Sequence, residues 1–236
     1  MIFMPQKCAI DVDRYKAFLF DMDGVITDTM PLHFEAWRQA FEIHGIKIEP
    51  LDVYLREGQT SMQMAEDIAR DKNAILSKDT INGIENEKGK IFLMLVNEKA
   101  RAYDGVKDTL ELLRNKGIRT ALVTGSRMGS AKGVLSKVSL KDLFDVIITA
   151  DDVKKGKPGP EPYLKAMEKL GIDKGSCVVV ENAPMGILSG KAAGAGYIIA
   201  LETSLGEEYL KGADEIMKSF SALEKCLAKK FKGAEQ

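Results

Sequence analysis

Five short apolar runs, separated by helix-like stretches, restrict this chain more than any other feature of it. Ala17-Phe18-Leu19-Phe20 stops at Asp21-Met22-Asp23-Gly24. Thr120-Ala121-Leu122-Val123 stops at Thr124-Gly125-Ser126. Val146-Ile147-Ile148 is a third run. Cys177-Val178-Val179-Val180 stops at Glu181-Asn182, and Tyr197-Ile198-Ile199-Ala200 is the last clear one. Brief, wholly apolar runs bounded by polar residues read as buried strands. Between them, residues 106–116 follow a helical pattern stopped by Gly117, a helix follows Ser126, 162–170 ends at Gly171, and 186–193 is a helix of small residues. Strands that alternate with helices pair in parallel through right-handed crossovers. The expected fold is α/β, a doubly wound parallel sheet.

One stretch breaks the alternation. Thr29-Met30-Pro31 opens a helix, with Thr29 as its cap and Pro31 in the first turn. Phe34, Trp37, Phe41 and His44 then recur at helical spacing; Met62, Met64, Ile68 and Ala69 mark a second helix, and Ile81, Ile84, Ile91, Leu95 and Val96 a third. The expected organisation is a core of residues 15–29 and 99–236, with 30–98 inserted as an α-helical cap domain.

Charge and composition narrow the partners. With 34 basic and 35 acidic side chains there is no basic excess to attract nucleic acid. No apolar run is long enough to span a membrane, and charges interrupt the N-terminal MIFMPQKCAIDVDRYK before a signal-peptide core can form. Cys8, Cys177 and Cys226 have neither metal-ligand spacing nor the look of a disulfide framework. A cytoplasmic location is expected. The cap offers no apolar stripe for a dimer, so a monomer is expected. The tail KCLAKKFKGAEQ reads as a helix end with a frayed, solvated terminus.

Ligands of open parallel sheets bind beyond the carboxyl ends of the strands. The residues placed there are Asp21 and Asp23, Thr124 and Ser126, and Glu181 and Asn182, with Lys157 in the loop after the third run. Such a set suits phosphoryl transfer. A carboxylate can attack phosphorus, and a second carboxyl two residues on can protonate the leaving oxygen and then activate water. A hydroxyl and an ammonium can hold phosphoryl oxygens, while Mg²⁺, which keeps several of its waters, needs few protein ligands. Taken singly these residues have plainer readings: Asp21-Met22-Asp23-Gly24 as a turn, Thr124 or Glu181-Asn182 as helix caps, Lys157 as a solvated charge.

Four segments together resemble haloacid-dehalogenase-superfamily phosphatases, in the β-phosphoglucomutase-like branch with a helical cap: FDMDGVITDTMPLHFEAW at 20–37, VTGS at 123–126, GKPGPEPY at 156–163 and VVVENAPMGILSGKAAGAG at 178–196. The resemblance covers almost the whole chain from about residue 15 and implies a Rossmann-like core and a Mg²⁺-dependent phosphohydrolase. By position in those motifs, Asp21 resembles the nucleophile and Asp23 the general acid/base, whose backbone carbonyl is also a metal ligand. Thr124, Gly125 and Ser126 resemble the phosphate-binding loop, Lys157 the lysine that holds nucleophile and phosphoryl group, and Glu181 with Asn182 the acidic metal-binding pair.

Two departures matter. Position 182 is usually aspartate in that branch, and here it is Asn182. In the segment Arg56-Glu57-Gly58-Gln59-Thr60, which resembles the substrate-specificity loop, the residue before the glycine is usually basic where phosphate moves between sugar hydroxyls; here it is Glu57. A carboxylate beside an anionic substrate is repelled unless a cation lies between. The expectation is that Glu57 reaches the metal when the cap closes and restores the charge missing at Asn182. That favours hydrolysis of a small phosphorylated metabolite or pyrophosphate. His33, in DTMPLHFEAW, matches the hinge histidine of β-phosphoglucomutases and points back toward a mutase. The lysine that would hold a mutase's distal phosphate is open among Lys72, Lys78, Lys88 and Lys90. A non-catalytic phosphate-binding module is the rival from another class.

Overall fold

A computed structural model describes residues 8–233. Its centre is a six-stranded sheet in the order β3-β2-β1-β4-β5-β6, built from β1 (Ala17–Phe20), β2 (Arg119–Val123), β3 (Val146–Ile148), β4 (Cys177–Glu181), β5 (Tyr197–Leu201) and β6 (Glu215–Met217). Every neighbouring pair is parallel. Phe18 of β1 lies level with Thr120 of β2 on one side and Val178 of β4 on the other. The strand order reverses around β1, which opens the crevice where doubly wound sheets take their ligands.

Alternation along each strand sends side chains to opposite faces. Phe18, Phe20, Leu122, Val178, Val180 and Ile199 turn to one apolar layer, closed by α5 (Val106–Asn115), α6 (Met128–Lys137) and α10 (Phe220–Gly233). Ala17, Leu19, Ala121, Val123, Val179 and Ile198 turn to the other, closed by α7 (Glu161–Leu170) and α8 (Pro184–Ala193). Burial on both faces is why the strands read as unbroken apolar runs.

Between β1 and α5 the chain inserts α1 (Met30–Glu42), α2 (Pro50–Tyr54), α3 (Ser61–Asp71) and α4 (Lys78–Lys99). Trp37, Phe41, Val53, Met64, Ile68, Ile81 and Ile84 form their own buried cluster. Leu32 and Ala36 of α1 and Ile91, Phe92 and Val96 of α4 belong instead to the sheet's apolar layer, so the base of the insert is rooted in the core.

Several expectations need correction. Thr29 precedes α1 without capping it; its hydroxyl donates to Asp23 at 2.5 Å. The short α2 escaped notice because five residues are too few for a periodic signal, and β6 because three residues with Glu215 at one end do not form an apolar run. The tail KCLAKKFKGAEQ is a helix end as expected but is not simply solvated: Cys226, Leu227 and Phe231 of α10 are buried in the sheet's apolar layer, and the terminus itself lies outside the described residues. Cys8 and Cys226, expected to be separate, form a disulfide across 218 positions of sequence. The bridge arises because the N-terminal segment lies beside α10, where Ala9 and Ile10 N–H donate to the Glu215 carboxylate at 2.9 and 3.2 Å. The first seven residues and the last three, including seven of the sixteen in the N-terminal segment MIFMPQKCAIDVDRYK, lie outside the described residues. Among the described residues no helix is long and apolar enough to cross a membrane.

Candidate active site

Asp21 is the first residue past β1, and its N–H still donates to Val180 O at 3.0 Å as if the strand continued. The chain then turns sharply: the Met22 carbonyl accepts N–H bonds from Ile26 and Thr27 at 2.9 and 3.0 Å. Gly24 is needed there. Its φ is +90°, and a Cβ would stand 2.1 Å from Asn182 Nδ2, so the glycine lets the loops after β1 and β4 meet.

Lys157 is the hub. Its ammonium donates to Asp21 Oδ1 at 2.5 Å, to Glu181 Oε1 at 2.6 Å and to Val123 O at 3.1 Å. An ammonium has three donors, and all three are used on the ends of three adjacent strands. Burial alone would strip its proton, but the facing Asp21 and Glu181 carboxylates raise its pKa above the ordinary lysine value. Glu181 Oε1 also accepts from Tyr163 OH at 2.7 Å, and Oε2 accepts from Asn182 N–H at 3.1 Å. Burial raises the Asp21 pKa well above the usual carboxylate range, with Lys157 opposing and Glu181 and Asp23 adding to it.

Asp23 sits in a different setting. Its Oδ1 accepts from Thr29 and lies 3.1 Å from His33 Nε2. Lys88 Nζ is 3.0 Å from His33 Nδ1. A lysine donor there makes Nδ1 the acceptor, so the ring proton stands on Nε2, facing Asp23. Burial works to raise the Asp23 pKa, yet His33, Thr29 and Lys88 together outweigh it and hold it below the usual value. His33 is lowered by burial and by Lys88 against the pull of Asp23, and Lys88 is pushed down to about 8 by burial. Phe92 and Trp37 wall this chain, with Lys88 Nζ 4.7 and 5.2 Å from their ring centres.

The two aspartates are thus anchored alike. Each has one oxygen held by the protein, while Asp21 Oδ2 and Asp23 Oδ2 are buried and find no donor among the described residues. Asn182 Oδ1 is a third such oxygen; its amide nitrogen donates to Ser204 Oγ at 3.1 Å, which turns the oxygen the other way. Buried acceptors without donors are costly. On neighbouring loops, they are what a hard, oxygen-seeking cation would satisfy. Among the described residues no three His, Cys, Asp or Glu side chains gather into a cage, so a cation here depends on an amide and a main-chain carbonyl as well. Mg²⁺ tolerates such a sparse set because it retains water. Glu181, placed by resemblance in the metal pair, has its oxygens engaged by Lys157, Tyr163 and the Asn182 N–H in this structure.

The insert lies over this centre. Glu57 is buried, and its carboxyl is pushed well above the ordinary range by burial and then by Asp23 and Asp21, with Lys157 and Lys88 opposing. Gly58, at φ +89°, has room for a Cβ only by striking Lys157 Cδ at 2.5 Å, and a Cβ at Gly125 would meet Gln59 O at 2.6 Å. Thr60 faces the core loops but also caps α3, its hydroxyl accepting from Gln63 N–H at 3.3 Å. Thr124 is buried, and its hydroxyl accepts from Ser126 N–H at 3.1 Å. Ser126 opens, with Ser61, Asn86, Lys88 and Ser130, onto a cavity of about 170 Å³ between insert and core. Of the four candidate lysines, only Lys88 is near the centre. Lys72 pairs with Asp52 and Lys90 with Glu87, and Lys78 lines a separate cavity on the insert.

Sequence reasoning missed Tyr163 and the role of Thr29. Tyr163 ends the quoted GKPGPEPY segment, and Thr29 stands six residues after Asp23; neither position signals that its hydroxyl turns inward.

A parallel sheet with an acid-tipped central strand, a buried lysine joining three strand ends and a helical insert above them defines a Rossmann-like α/β protein whose donors and acceptors suit phosphoryl transfer. A family model for haloacid dehalogenase-like hydrolases matches residues 15–194, and the chain belongs to that family. It is 33% identical over 196 residues to a phosphorylated carbohydrates phosphatase of Thermotoga maritima, covering 81% of this chain and 88% of that protein. It is 31% identical to the fructose-1-phosphate phosphatase of Escherichia coli, over 77% of this chain and 94% of that one. The crystal structure of β-phosphoglucomutase from Clostridium difficile superimposes with a TM-score of 0.82 at 27% identity, covering 94% of this chain and all of that one. The chain is accordingly an enzyme of this family's phosphatase or phosphoglucomutase-like kind.

Proposed function

We propose that the chain is a Mg²⁺-dependent phosphohydrolase that works through an aspartyl-phosphate on Asp21, acting on a small phosphorylated metabolite or pyrophosphate. The observation that carries this is the pairing of Asp21 with Lys157 at 2.5 Å beside a second, separately anchored Asp23. An Asp21 oxygen attacks phosphorus, the ester P–O bond breaks, and the departing oxygen takes a proton from the Asp23 carboxyl. Asp23, again a carboxylate, then removes a proton from water as that water attacks phosphorus. The bond to Asp21 breaks and inorganic phosphate leaves. Taking the water's proton returns Asp23 to its starting carboxyl; His33, 3.1 Å from Asp23 Oδ1, orients that carboxyl, and Lys88 keeps the ring in the required tautomer. Thr124 and the Gly125 and Ser126 backbone hold phosphoryl oxygens. Asp21, the Asp23 carbonyl, Asn182 and Glu57 would hold Mg²⁺, which when bound neutralises charge on nucleophile and substrate. The insert, residues 30–98, acts as a cap that excludes bulk water while the phosphoryl group is placed.

The test is a panel of sugar phosphates, other phosphate esters and pyrophosphate, each with and without Mg²⁺. Wild type should release inorganic phosphate only with the metal, and Asp21→Asn should lose about a thousandfold or more of the rate. A D21N protein as fast as wild type would sink the reading. The mutase reading rests on His33 beside Asp23. Against it, Arg127, the exposed cation at the cavity, already faces Glu85 at 3.6 Å, and Glu57 adds negative charge where a second phosphate would need a basic cradle. Incubation with β-glucose 1-phosphate and a trace of the bisphosphate separates the two: glucose 6-phosphate means mutase, free phosphate means phosphatase. Silence across the whole panel would favour a non-catalytic phosphate-binding module.

A further inference from the structure

We infer that Tyr163 is a positioning residue, whose hydroxyl sets where Lys157 stands by holding the Glu181 carboxylate. The inference rests on the phosphohydrolase reading for its kinetic consequence, but its geometric content stands alone. Tyr163 lies on α7, and its side chain is fully buried. Its OH donates to Glu181 Oε1 at 2.7 Å, the same oxygen that accepts from Lys157 Nζ at 2.6 Å. Its ring lies under the ammonium, 5.0 Å from Nζ to the ring centre. One side chain therefore touches the lysine through its π face and through a shared carboxylate oxygen.

The neighbours leave little slack. A Cβ at Gly186 would stand 1.8 Å from Glu181 Oε1, so the carboxylate is pressed against the backbone of α8. Glu181 is fixed on one side by that backbone and on the other by the tyrosine hydroxyl. Lys157 is fixed below by Glu181 and Val123 O, and above by Gly58 of the insert. Removing the hydroxyl frees one half of the fork on Glu181 Oε1. The carboxylate can then close on the lysine and draw it from Asp21, the group Lys157 must align as phosphorus arrives. Hydrogen bonds to charged groups are among the stronger ones, so loss of this one should register at the reacting atoms and not only in stability.

Tyr163→Phe keeps the ring and its contact with the ammonium. With p-nitrophenyl phosphate and Mg²⁺, kcat should fall by about tenfold with KM within about twofold of wild type, the pattern of an interaction that matters in the transition state. Restoring a donor with 4-aminophenylalanine in place of Tyr163 should recover most of kcat. A crystal structure of Y163F should show the Lys157–Asp21 contact lengthened. The inference is overturned if Y163F keeps kcat within twofold, or if its Lys157 superimposes on the wild-type position, or if the amino analogue behaves like phenylalanine. A wild type inactive on every phosphate compound would instead sink the proposed function, and the crystal structure would still decide where the hydroxyl leaves Lys157.

Discussion

The Cys8–Cys226 bridge offers the sharpest quantitative test of the fold. It closes a loop whose ends are 218 positions apart, so almost the whole chain is tied into a ring. For a loop of that length the chain-entropy argument sets a ceiling of about 5 kcal/mol, and native bridges usually deliver about 2–4 kcal/mol. Cys8→Ser removes the bridge at its half-buried end and leaves the Ala9 and Ile10 bonds to Glu215 in place. A loss of about 3 kcal/mol, at about 2–4 °C per kcal/mol for a chain of this size, lowers Tm by about 6–12 °C. Thermal unfolding followed by circular dichroism measures this, with oxidised wild type as reference. Thiol titration in guanidine supplies the independent check: of three cysteines only Cys177 is free, so one thiol should react before reduction and three after. Three reactive thiols in the untreated protein, or a Cys8→Ser variant that melts with wild type, would refute the reasoning.

Other expectations follow from the site. Glu57→Gln should raise the Mg²⁺ concentration needed for half-maximal activity by about tenfold; unchanged metal dependence and turnover would remove Glu57 from the cation's surroundings. Lys88, buried with its pKa pushed down to about 8, is protonated in both folded and unfolded chains at neutral pH and costs the folded state about 3 kcal/mol there. That cost fades as pH rises from about 8 toward the unfolded lysine value, so this group alone makes stability increase across that window. Lys88→Met should accordingly raise Tm at pH 7 while lowering kcat, and a Met variant less stable than wild type would contradict the account. Gly24→Ala must fit a Cβ 2.1 Å from Asn182 Nδ2 at φ +90°. It should cost about 1–2 kcal/mol in backbone strain and weaken Mg²⁺ binding measured by calorimetry, whereas wild-type affinity would show that the loop adapts freely.

What could be read in advance divides along physical lines. Strands buried on both faces advertise themselves, because Phe18-Leu19-Phe20 and Val178-Val179-Val180 leave no polar position to interrupt the run. The residues just past them, Asp21 and Glu181, were legible for the same reason: a charge at the end of such a run stands out. Glu215 hid β6, since a carboxylate in so short a strand looks like loop, yet it is there to bind Ala9 and Ile10 from the far end of the chain. Tyr163 was illegible as a site residue, and Lys88 could not be told apart from Lys72, Lys78 and Lys90. Their importance comes from which helix face turns inward, and spacing along one chain does not set the rotation of α7 or α4 against the sheet. The disulfide was hidden by distance, because a pairing across the chain has no local pattern. Glu181 resembles a metal ligand by its place in the motif VVVENAPMGILSGKAAGAG, and only the lysine and tyrosine beside it show which partners its Oε1 takes in the structure.

The rooting of the insert in the sheet's apolar layer sets how the lid can swing. Leu32 and Ala36 near one end of the insert and Ile91, Phe92 and Val96 near the other are fastened below, so they form a pivot and the remainder of α4 is a lever. The free arm of that helix, Lys78 to Lys90, is about 20 Å long at about 1.5 Å per residue, so a tilt of about 10° carries its end roughly 3 Å. Admitting a phosphate ester therefore calls for a larger tilt about the same pivot, with the rooted side chains as the fixed end.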